Sequence, residues 1–139
     1  MTRYILDTHI LSWFLEKDKR LPDDVRESIE YMQHEYYISV LTLLEFDNLQ
    51  KLKKIKLHYS FKEIIEQLKN ANIGIIFDIS VNDLDILYNL DFKTLNGKTH
   101  GDYMDRAIIA TAISRYYTCI SADAKFRHYR KNGLQLLEI

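Results

Sequence analysis

Short apolar runs alternate with amphipathic stretches along the chain. The first run is Tyr4, Ile5 and Leu6, closed by Asp7. Thr8 follows as a cap, and Ile10, Leu11, Phe14 and Leu15 then recur at helical spacing. Arg3–His9 (RYILDTH) therefore reads as a buried strand handing over directly to a helix. Pro22 stands where a second helix can begin, with Val25, Ile29 and Met32 on one face. Tyr36–Val40 (YYISV) is β-branched and aromatic enough for a second strand. The helix after it carries Leu43, Leu44, Glu45, Phe46 and Leu49 and ends in the basic run Lys51–Lys56. Phe61, Ile64, Ile65 and Leu68 mark another helix, Ile73–Ile79 a third strand, and Leu84, Leu87 and Leu90 a short helix. Residues 91–101 hold two glycines and few apolar side chains and read as a loop. Asp102–Tyr117 is apolar almost all round, which predicts a buried helix. Tyr117–Ser121 is a fourth strand, and Gly133 breaks the chain before a last strand at Gln135–Ile139. The alternation predicts βαβ units, right-handed crossovers and an α/β fold on a mainly parallel sheet of four to five strands.

Composition narrows the partners. A chain of 139 residues, 47% of them hydrophobic, suits one domain over 1–139 with a real core. Four Gly and one Pro argue against disorder and against a turn-rich all-β fold. A formal net charge of −1 means that nucleic-acid binding must come from a local patch. The single cysteine, Cys119, excludes an internal disulfide and a cysteine-based zinc cluster. Its apolar neighbours suggest a buried, inert thiol. No leader-like segment opens the chain, and no run approaches the roughly 20 apolar residues of a membrane span. A cytoplasmic location is expected.

The chemistry lies in the acids. Asp7 ends strand one, Glu45 lies early in the helix after strand two, and Asp123 follows strand four. Asp102 and Asp105 share a face at the start of the buried helix. A parallel sheet would put all of them on its carboxyl edge, where open α/β sheets bind ligands. Carboxylates gathered there raise one another's pKa. Mg²⁺ or Mn²⁺ would relieve the repulsion and could activate water for displacement at phosphorus. Taken singly, each acid is better read as a helix cap or dipole partner, and it is their convergence on one edge that argues for a site. Glu45 fits that reading least, being flanked by Leu43, Leu44 and Phe46.

The segments RYILDTHILSWFL, SVLTLLEF, HGDYMDRAIIATA and ISADAKF, in this order and spacing, resemble the motifs of the PIN-domain family. Within it they are most similar to the toxin ribonucleases of VapBC toxin–antitoxin modules. The resemblance implies a three-layer α/β/α sandwich and Mg²⁺- or Mn²⁺-dependent cleavage of RNA. It maps the catalytic, metal-holding acids onto Asp7, Glu45, Asp105 and Asp123, with Asp102 as an accessory ligand and Ser121 near the metal. It also implies a VapB-like antitoxin over the cleft and a homodimer. Tyr103 and Met104 replace the Pro and Phe frequent in the family's HGDPFDR segment. The glycine common after the Glu helix is absent. Both departures bear on loop shape and substrate choice; neither removes an acid.

Supporting residues each carry two readings. Thr8 orients a water or simply caps a helix. Arg106 touches phosphate, braces a carboxylate, or forms an ordinary surface ion pair. His9 and His100 lack a second ligand at metal spacing, which favours structural hydrogen bonds. Tyr103 stacks on a base or packs a helix face. Lys125, Arg127 and Arg130, close after Asp123, are the better candidates for the RNA backbone; Lys51, Lys53, Lys54 and Lys56 form a second basic run. Trp13 and Phe14 are expected as exposed apolar side chains that receive the antitoxin. A catalytically inactive PIN-like module binding RNA or protein is the alternative. A receiver-like signalling domain, with Asp78 as acceptor, is the third reading. Gly97-Lys98-Thr99 fails as a phosphate loop because Phe92 stands where its first glycine is needed.

Overall fold

The computed structural model describes residues 1–56, 58–92 and 98–139. Five strands pair into one sheet: β1 Arg3–Leu6, β2 Glu35–Ser39, β3 Ile73–Ile76, β4 Thr118–Ser121 and β5 Gln135–Glu138. Every pairing is parallel and the order is β3-β2-β1-β4-β5. The short apolar runs follow from this: a strand covered on both faces needs apolar residues at successive positions. Ile5 and Leu6 belong to opposite cores, as do Cys119 and Ile120.

One core joins Leu6, Ile38 and Ile120 to helices α1 (Thr8–Leu15), α2 (Asp23–Glu30), α3 (Val40–Lys51) and α4 (Phe61–Asn70). The other joins Ile5, Ile76 and Cys119 to α5 (Val81–Tyr88), α6 (Tyr103–Arg115) and a 3₁₀ run at Ala124–Asn132. The result is a helix–sheet–helix sandwich, as the resemblance implies, on the parallel sheet that the alternating pattern predicts. Seven residues of α6, from Asp105 through Ala112, are buried, which explains its lack of a polar face. Cys119 is fully buried, and burial pushes its thiol well above the usual range.

Several boundaries move. The second strand ends at Ser39, whose hydroxyl accepts from Leu41 N–H and starts α3 at Val40. The third stops at Ile76; Phe77 and Ile79 are 68% and 45% exposed on this edge of the sheet. The run between Asp123 and Gly133, unassigned from sequence, winds as 3₁₀ turns that bury Phe126, His128 and Tyr129. Gly133 ends it at φ +98°, a conformation that favours glycine. Part of the 91–101 loop, residues 93–97, lies outside the described residues. Trp13 and Phe14 are not exposed: both are half-buried, with Arg20 over the Trp13 ring and Arg26 over Phe14. Arg26 also donates to the carbonyls of Phe14, Trp13 and Asp18. They offer little surface to an antitoxin.

Candidate metal centre at the carboxyl edge of the sheet

All five strands point the same way, so their carboxyl ends share one edge. Chain order reverses across β1: β2 lies on one side and β4, sequentially distant, on the other. Such a switch point leaves a crevice above the strand ends. Asp7 and Ser121 sit there. The Asp7 N–H donates to Ile120 O at 3.1 Å, which ties the end of β1 to β4. The Ser121 hydroxyl donates to Asp7 Oδ2 at 2.9 Å, and Thr8 N–H donates to Asp7 Oδ1 at 2.7 Å. Ser121 Oγ in turn accepts from Asp123 N–H at 3.0 Å. The β1–α1 handover thus fixes a carboxylate that is 2% exposed.

α3 brings Glu45 and α6 brings Asp105 to the same place. One carboxylate oxygen from each of Asp7, Glu45 and Asp105 lies within 4.8 Å of the others. A second group of that compactness joins Asp105 to Asp123 and His100. Among the described residues no Lys or Arg forms an ion pair with any of these acids. The electrostatics follow. Burial, the Asp105 charge and Glu45 push the Asp7 carboxyl up to about 7, against the hydrogen bonds from Ser121 and Thr8. Burial also raises Glu45 and Asp105, each further raised by the neighbouring acids.

The donor set fits a hard divalent cation: compact, oxygen-rich and lacking its own counter-charge. Thr8 points to the same fit. It is fully buried, and its hydroxyl makes no well-formed hydrogen bond among the described residues, although it lies near enough to Glu45 to favour the charged carboxylate. Buried hydroxyls are seldom left so, and an aquated ion in the crevice would supply a partner.

The remaining candidates divide. Asp102 is exposed and caps α6, its Oδ1 accepting from Asp105 N–H at 3.1 Å; its charge is felt at Glu45 and Asp105. Asp123 is half-buried and caps the 3₁₀ run through Lys125 N–H at 2.9 Å. Arg106 makes no ion pair among the described residues, contrary to the surface-pair reading. Its guanidinium lies against the rings of Phe92 and Tyr103, 5.0 and 4.9 Å from their centroids. Arg127 and Arg130 both pair with Glu138, while Lys125 is exposed and without an ion pair among the described residues. His9 is exposed, and His100 is buried between Tyr129 and Asp105. Tyr129 escaped the sequence reading. It lies 29 residues from His100, in a run whose spacing carries no helical or strand signal.

The PIN domain family model matches residues 4–132. The chain belongs to the PIN-domain family. Ribonuclease VapC22 of Mycobacterium tuberculosis is 24% identical over 132 residues, covering 94% of each protein. Among solved structures the PIN chain resembles VapBC2 from Rickettsia felis bound to a promoter DNA fragment. That match has a TM-score of 0.68 and 22% identity, covering 99% of this chain and 98% of that one. DNA-bound VapBC from Salmonella typhimurium gives 0.64 and 19%, with coverage of 99% and 98%. The sheet order also removes the receiver reading, whose fold runs 2-1-3-4-5. Asp78, its would-be acceptor, lies past the outermost strand and pairs with Arg115. No helix among the described residues is long and apolar enough to cross a membrane.

Proposed function

We propose that this PIN domain is a metal-dependent endoribonuclease of the VapC type, the toxin of a type II toxin–antitoxin module. The observation that carries the reading is the buried carboxylate cluster from β1, α3 and α6 without a Lys or Arg counter-charge. Asp7, Glu45, Asp105 and Asp123 would hold Mg²⁺ or Mn²⁺, with Asp102 supplying further negative charge at the rim. A cation bound there supplies Lewis-acid charge to a phosphate and lowers the pKa of water. The chain's own residues do the positioning. Ser121 and Thr8 N–H fix both oxygens of Asp7. The Thr8 hydroxyl, beside Glu45, can also meet a water or a phosphate oxygen in the crevice. Water attacks phosphorus, and the bond to the leaving sugar oxygen breaks.

RNA would cross the rim beside Asp123, where Lys125, Arg127 and Arg130 can meet the backbone without reading sequence. The shared pairing of both arginines with Glu138 leaves Lys125 the cation most open to phosphate. The VapBC complexes among the structural relatives support a VapB-like antitoxin as partner, and the toxin reading carries with it a homodimer and a cytoplasmic location.

The test is cleavage of RNA by purified protein with Mg²⁺ or Mn²⁺, with EDTA, and beside Asp7→Asn. Cleavage that needs metal and disappears in the variant is expected. Full cleavage by Asp7→Asn would remove the site assignment. Wild-type protein that neither cleaves RNA nor binds either cation by calorimetry would leave a PIN-like binding module.

A further inference from the structure

Behind the acidic crevice lies a second buried polar group. The His100 side chain is wholly buried, and Tyr129 is fully buried beside it. His100 Nδ1 is 2.7 Å from the Tyr129 hydroxyl, and Nε2 is 3.3 Å from Asp105 Oδ2. We propose that Tyr129 and His100 form a clamp in which the Tyr129 hydroxyl donates to Nδ1, the Nε2–H donates to Asp105, and the Asp105 carboxylate is thereby held toward the acidic cluster. His100 and Tyr129 are positioning residues in this arrangement. It rests on the metal-centre reading of Asp105.

The direction of the protons follows from the inventory of donors. An ionised Asp105 can only accept. The nitrogen facing it must then carry hydrogen, and in a neutral imidazole the other nitrogen accepts. Tyr129 fits that demand, since Nδ1 is the one hydrogen-bond partner of its hydroxyl among the described residues. Burial pushes the hydroxyl up to about 12, so it remains a donor. The opposite tautomer would set a lone pair of Nε2 against a carboxylate and leave the tyrosyl proton buried without an acceptor, a costly pair of defects.

The ring is also prevented from turning. His100 N–H donates to Phe92 O at 2.7 Å, and the ring packs between Phe126 and Tyr129, with centroids 6.4 and 5.5 Å away. Hydrogen bonds that orient a metal-binding group matter nearly as much as the ligands themselves. The competing role, His100 as a ligand beside Asp105 and Asp123, requires a free lone pair on Nε2. The clamp uses that atom as a donor.

Two measurements decide between them. Nitrogen NMR of the imidazole in metal-free protein should give a protonated Nε2 and an unprotonated Nδ1; the reverse overturns the clamp. Mn²⁺ titration by calorimetry should show His100→Leu weakening affinity about 10- to 100-fold. His100→Gln, which restores an N–H donor near Nε2, should recover most of that loss. Tyr129→Phe keeps the packing and should weaken affinity by up to about tenfold; it tests the clamp even where His100→Leu fails to fold. Wild-type affinity in Tyr129→Phe or in a folded His100→Leu would overturn the clamp, as would a His100 nitrogen coupling to bound Mn²⁺ in pulsed EPR. Wild-type protein that binds no Mn²⁺ would sink the metal reading and the clamp together. Unaltered variants on a binding wild type would sink the clamp alone.

Discussion

Asp7 and Asp83 are each 2% exposed, yet they are opposite kinds of buried acid. Asp83 lies in the first turn of α5, in a capping box with Ser80, and meets Arg115 at 2.9 Å. Burial raises its pKa, but Arg115, Ser80 and Ser114 outweigh burial and hold it below the usual carboxylate range. Asp7 has hydrogen bonds but no cation, and it stays near 7. One carboxylate finds its counter-charge within the fold. The other is complete only when something positively charged arrives. Burial alone therefore does not distinguish these two acids; the missing counter-charge does.

The sharpest test of this contrast is Asp7→Asn. Losing one of the clustered carboxylates should lower metal-dependent cleavage by at least about 100-fold. The same change should stabilise the metal-free protein at pH 8, by up to about 4 kcal/mol if the whole shift were realised. A variant both inactive and more heat-resistant would mark the acid as functional. Arg115→Met is the counterpart. It strands Asp83, should cost about 3 kcal/mol in chemical denaturation, and should leave Mn²⁺ affinity unchanged.

The two acids also differ in sign with pH. The folded pKa of Asp7 lies above its ordinary value of 3.8, so between about 4 and 7 the folded state holds the extra proton. Metal-free stability attributable to Asp7 is then present at low pH and lost as pH rises through 7. Asp83 contributes stability above its ordinary pKa, and that contribution falls away as pH drops through its lowered folded value. Thermal melts at pH 5.5 and 8 should show Mn²⁺ raising Tm more at the higher pH; an equal rise at both would break the contrast. A smaller effect is expected of Ser121→Ala, which removes the donor to Asp7 Oδ2 and should weaken Mn²⁺ affinity about tenfold. Least of all, neutralising Arg127 and Arg130 together should flatten the salt dependence of RNA binding by at most about two phosphate contacts. An unchanged slope would take them off the RNA path.

The sequence discloses these features unevenly, and for physical reasons. Parallel strands buried on both faces need continuous apolar runs, so β1, β2 and β4 stand out as IL, YYI and TCI flanked by polar residues. An acid directly after such a run, as at Asp7, marks the edge to which it belongs. Glu45 stands out because apolar Leu43, Leu44 and Phe46 flank it, two of which, Leu43 and Phe46, are buried. Ion pairing across the fold is silent in sequence. Nothing near Arg127 shows that it meets Glu138 of β5, and nothing near Asp83 shows Arg115, 32 residues on. Tyr129 is hidden for the same reason, compounded by 3₁₀ winding that shares neither the helical nor the strand period. Phe77 and Ile79 mislead in the other direction, extending an apolar run past the end of the strand into exposed backbone.

The hydrogen bond from Ser121 to Asp7 spans 114 residues. During translation Asp7 emerges well before Asp105, Ser121 and Asp123, which lie about a hundred residues further along the chain. Until β4 inserts, the central strand β1 has an open edge and no crevice stands beside it. The acidic crevice therefore cannot assemble stepwise as the chain emerges; it forms only when β4 docks against β1.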